Sequence, residues 1–97
     1  MVEEAAVAVI QLFTSGQVAL SPGQTREILV GSPASVTFGV FYGVNVTPLA
    51  ELGNSVTLVG TAVRTDASAT PRLYYTVRND NSTKSVTFIR TTVQISP

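Results

Sequence analysis

The stretch from Val36 to Val46, Val-Thr-Phe-Gly-Val-Phe-Tyr-Gly-Val-Asn-Val, constrains the fold of this chain more than any other. Its even positions are all β-branched or aromatic: Val36, Phe38, Val40, Tyr42, Val44 and Val46. Its odd positions are small or polar apart from Phe41. Side chains alternate faces along a strand, so the pattern describes one apolar wall with a thin back. At helical spacing the same residues scatter around the axis, and each of the two internal glycines costs about 1 kcal/mol relative to alanine. The spacing predicts the central core strand of an all-β domain.

The flanking sequence reads the same way. Residues 5–13 are apolar on both parities, and Val7, Val9 and Ile10 favour a strand over a short buried helix. Thr14-Ser15-Gly16 reads as a hinge or bulge, where a first strand of a sandwich often changes sheets. Ser21-Pro22-Gly23-Gln24 has the residues of a type II turn. Leu49 and Leu52 are spaced for one helical turn over an end of the core. In residues 55–65 the inward set begins as Val56 and Leu58 and continues as Val59 and Val63. Residues 72–78 alternate cleanly, with Leu73, Tyr75 and Val77 inward and Arg72, Tyr74, Thr76 and Arg78 outward. The last strand has Val86 and Phe88 on one parity and Ile89, Val93 and Ile95 on the other, which predicts a bulge near Ile89 and Arg90. The sum is one domain over residues 1–97, an antiparallel β-sandwich of six to seven short strands in immunoglobulin-like or jelly-roll-like style.

The chemistry available to such a domain is narrow. The chain has no histidine and no cysteine. The usual general base, the usual transition-metal ligands and the Ser/His and Cys/His nucleophile pairs are therefore missing. Its acids are scattered over separate elements, and Asn79-Asp80-Asn81-Ser82-Thr83 offers a cation only one carboxylate. No enzyme activity, cofactor or metal is expected. Net charge is zero with 12% charged residues, so no basic footprint for nucleic acid exists. No run approaches the roughly 20 apolar residues of a membrane-spanning helix, and no membrane partner is expected. The acidic start, Met-Val-Glu-Glu, lacks the layout of a classical signal peptide. Localisation stays open, with a virion or an extracellular assembly compatible.

Three features point to contact with other molecules. The first strand is the most apolar part of the chain yet lies at a terminus, where strands sit at sheet edges and invite association. Val7, Val9, Ile10, Leu12 and Phe13 are its candidate interface residues, and residues 1–14 are expected to pack across a subunit boundary or swap. Phe41, flanked by Gly39 and Gly43 on the face away from the core, is a candidate platform for a partner or a sugar ring. Tyr74, between Arg72 and Arg78, has the residue types enriched at interface centres. The expected function is a non-catalytic structural module that self-associates, as a virion, filament or surface-lattice subunit. The alternative is a carbohydrate- or ligand-binding β-sandwich.

Overall fold

A computed structural model describes residues 7–97, and among them every regular element is a strand. The strands are β1 (Val9–Leu20), β2 (Thr25–Leu29), β3 (Phe41–Pro48), β4 (Val56–Thr65), β5 (Pro71–Asn79) and β6 (Val86–Ser96). They form two antiparallel three-stranded sheets, β1-β6-β3 (sheet A) and β2-β5-β4 (sheet B). The sheets face each other as in a β-sandwich. Tyr75 of β5 and Phe88 of β6 meet edge to face between them, with ring centroids 6.2 Å apart. That contact is worth about 1 kcal/mol beyond the area it buries. Leu20, Val30, Leu73 and Val77 complete the fully buried cluster, and Val18, Ile28, Tyr42, Val44, Val46 and Leu58 pack against it.

The expected type II turn is present. The Gln24 N–H donates to the Ser21 carbonyl at 3.0 Å. Gly23 supplies the required positive φ of 67°. The alternation expected in residues 72–78 also stands, since Leu73, Tyr75 and Val77 are buried while Arg78 is exposed.

Elsewhere the structure corrects the reading of the sequence. The stretch from Val36 to Val46 is not one central strand. Gly39 takes a φ of 80°, and the Val40 N–H turns back to the Thr37 carbonyl at 3.2 Å. Positive φ ends a strand, so β3 begins only at Phe41, and Phe38 is left fully exposed. β3 is an edge of sheet A; the central positions belong to β6 and β5. No helical turn forms around Leu49, and Leu52 projects into solvent. In β4 the parity slips between Leu58 and Gly60, and Val59 is the extra, exposed residue rather than an inward one.

The expected break in β6 lies on its partner. β1 runs within one sheet from Val9 to Leu20 and does not change sheets. Thr14 pairs with Thr91 and Gln17 with Ile89, so Ser15 and Gly16 together oppose Arg90. This is a β-bulge at the Thr14-Ser15-Gly16 hinge. β6 itself keeps strict alternation, with Val86, Phe88, Arg90 and Thr92 all buried.

Candidate interaction surface

Strict alternation in β6 has a consequence for sheet A. Directly paired residues of an antiparallel ladder lie on one face. Ile95 pairs with Ile10 on one side and with Phe41 on the other. Val93 pairs with Leu12 and Gly43 in the same way. These six residues form two adjacent rows across all three strands, on the side turned away from sheet B. Ile10, Leu12 and Phe41 are 64%, 69% and 60% exposed. Val93 and Ile95 are half-buried between them.

Gly43 makes room for this arrangement. A Cβ placed there would lie 2.9 Å from Val93 Cγ1 and 3.4 Å from Phe41 Cε1. The Phe41 ring therefore lies beside the glycine, next to the space a side chain at 43 would take. Gly39 has no such role, since open space surrounds it.

The apolar side of sheet A changes face along the strands. Near the turn end, Leu20, Val86 and Phe88 point inward to the core, while Ala19 and Thr87 point outward. At the far end, Arg90, Thr92 and Gln94 line the inner face of β6, and Ile89, Val93 and Ile95 line the outer one. A strand that keeps its register can only do this if its sequence swaps parities, as this one does.

Charge is divided between the two outer faces as well. The outer face of sheet A consists of Ile10, Leu12, Thr14, Gln17 and Ala19 on β1, the odd residues from Thr87 to Ile95 on β6, and Phe41, Gly43, Asn45 and Thr47 on β3. None carries a charge. The outer face of sheet B holds Glu27, Arg64, Arg72 and Arg78.

On that charged face, Arg72, Tyr74 and Arg78 all project outward as expected, and each has a partner within the chain. Arg72 Nε donates to Asp66 Oδ2 at 3.0 Å, and its Nη1 to the Ala34 carbonyl. Arg78 Nε donates to Asp80 Oδ1 at 2.9 Å. Tyr74 lies 5.3 Å beneath the guanidinium of Arg64, which also pairs with Glu27. Asp80 is held below the ordinary carboxylate value by the Thr57 hydroxyl, then by Arg78 and Ser55. Asp66 is lowered by the Thr70 N–H, then by Arg72.

The first-strand candidates divide between the faces. Ile10 and Leu12 join the outer patch, whereas Val9 and Phe13 pair with Ser96 and Thr92 on the inner side. Val9 is nonetheless exposed, and so is Val7, which precedes the strand. Residues 5 and 6 of the apolar run, like residues 1–4, lie outside the described residues. The bulge expected in β6 would turn Val93 and Ile95 inward, so the sequence does not mark them as surface residues. The signal that could have found them is a strand apolar on both parities, which needs a cover on both sides.

Among the described residues, no group of three or more acidic side chains could hold a metal ion, and no helix is long and apolar enough to cross a membrane. No protein-family model, no curated protein and no solved structure matches the chain.

Proposed function

We propose that the protein is a non-catalytic assembly module that associates with further copies of itself through the outer face of sheet A and the neighbouring edge of β1. One observation carries this reading: the uncharged face on which Ile10, Leu12 and Phe41 stand exposed around Val93 and Ile95. Three strands spaced about 4.8 Å apart, over about ten residues at about 3.3 Å each, give a face of a few hundred Å². The two apolar rows occupy one end of that face, and exposed apolar residues gathered in one place rather than scattered singly are what a contact surface offers. The free backbone groups along β1 add the option of strand addition at the same border.

Among the described residues no element covers this side of β1, which favours a second copy as the cover. Two packed antiparallel sheets with four of five connections crossing between them support an immunoglobulin-like or jelly-roll-like style, as in many lattice and capsid subunits. A virion, filament or surface-lattice subunit is the setting this suits.

Sedimentation velocity over a concentration series tests the reading. Wild type should form concentration-dependent oligomers, and Leu12→Lys and Phe41→Ser should move the distribution to monomer with unchanged far-UV circular dichroism. A wild type that stays monomeric at several hundred micromolar would sink the proposal. Glycan binding abolished by Phe41→Ser in such a monomer would establish the carbohydrate-binding alternative.

A further inference from the structure

Between the two sheets, on the side where the edge strands β1 and β2 face each other, lies a cleft of about 250 Å³. Val18, Ile28 and the Tyr75 ring give it apolar walls, and Ser15 and Ser32 give it polar ones. Arg90 lines it and is only 2% exposed. A guanidinium carries five N–H donors. Among the described residues the Arg90 side chain makes a single hydrogen bond, from Nη1 to the Ser32 carbonyl at 3.3 Å. Its Nε is buried and meets no acceptor among the described residues. Among the described residues no Asp or Glu lines the cleft, and the three ion pairs use other arginines.

Burying a guanidinium without an anion is strongly unfavourable, and native structures place a partner beside such a group. Burial pulls Arg90 below the ordinary arginine value, but arginine stays charged in proteins. The donors left over on this planar group, Nε among them, match a carboxylate, which takes two parallel N–H···O bonds from one guanidinium. The volume lies below the roughly 300–1,000 Å³ of pockets for drug-sized ligands, so the acid is small. The apolar walls suit a short alkyl chain behind the carboxylate.

We propose that this cleft is a carboxylate-binding site in which Arg90 seats the carboxylate of a short aliphatic chain. The same chemistry is supplied by a free acid such as butyrate or by an acidic side chain of a second copy. The site lies on the inner side of sheet A and does not depend on the outer apolar face.

The test uses the full chain, ¹⁵N-labelled, titrated with sodium butyrate against matched sodium chloride. Butyrate should shift the Arg90 Nε–Hε resonance saturably and raise the Tm by about 4 °C or more near saturation, while chloride does neither. Arg90→Met should remove the response, and Arg90→Lys should weaken it at least tenfold because the paired donors are lost. In Leu12→Lys the response should persist, which separates this site from the association surface. If Arg90→Met disperses oligomers of the wild type and butyrate does the same, the carboxylate comes from a second copy. If butyrate acts on a monomer, it is a free acid. A wild-type Nε–Hε resonance and Tm indifferent to butyrate, together with an unchanged oligomeric state in Arg90→Met, would overturn the proposal; should that variant not fold, the wild-type titration alone decides.

Discussion

The Ser15 hydroxyl accepts a hydrogen bond from the Arg90 N–H at 2.9 Å and donates one to the Gly16 carbonyl at 2.8 Å. It thereby fills the gap that the bulge opens in the β1–β6 ladder. The extra residue of a bulge leaves a backbone donor without its strand partner, and here a side chain takes that place. Ser15→Ala should cost about 1–2 kcal/mol in urea unfolding, since the Arg90 N–H is left without its acceptor. Ser15→Thr, which keeps the hydroxyl, should recover most of the loss.

Asn79 performs a similar role at the other end of the sandwich. Fully buried, its side-chain amide donates to the Ser21 carbonyl at 3.0 Å and the Lys84 carbonyl at 2.9 Å, and its Oδ1 accepts the Asn81 N–H at 2.9 Å. It ties the β1–β2 turn to the β5–β6 loop. Asn79→Ala should lose about 2–4 kcal/mol, because several buried backbone groups lose partners together. Asn79→Asp should fail to rescue, since a carboxylate cannot donate to those carbonyls.

Asp80 should give the stability a dependence on acid. Its folded value lies below the unfolded reference of 3.8, chiefly through the Thr57 hydroxyl. The sign follows: its contribution is complete above that reference and disappears as pH falls through the lower folded value. Asp80→Asn should therefore have a lower Tm than wild type at pH 7, and the difference should be smaller at pH 2. Equal differences at both pH values would refute this assignment.

Leu12 and Phe41 should be nearly silent in the isolated domain. Both side chains stand largely in solvent, so Leu12→Lys and Phe41→Ser should shift unfolding by no more than about 0.5 kcal/mol in dilute, monomeric solution. Their effect should appear only where copies meet, as lost oligomer in sedimentation at high concentration.

The fold class was legible because β5 alternates without exception from Arg72 to Arg78, and because Pro22-Gly23 marks a turn with only one good conformation. The boundaries of β3 were not legible. Alternation from Val36 to Val40 imitates a strand, and nothing in the sequence tells that Gly39, unlike Gly43, adopts positive φ. β6 misled for a physical reason. The rule that apolar residues face the core assumes one core, whereas Ile89, Val93 and Ile95 face outward and Arg90 inward. Of the outer patch, Ile10, Leu12 and Phe41 could be picked from the sequence; Val93 and Ile95 could not. Arg90 was legible only as a bulge position and not as a buried cation, although its parity with Val86 and Phe88 was there to see.

The division of charge between the two outer faces sets how ionic strength should act on any particle built from this domain. Joints made through the sheet A face contain no Coulomb attraction for ions to screen, so brine should tighten them slightly where it would loosen an ion-paired lattice. The arginines and acids of sheet B would meanwhile form the wetted exterior, giving such a layer two unlike sides, one adhesive and one inert.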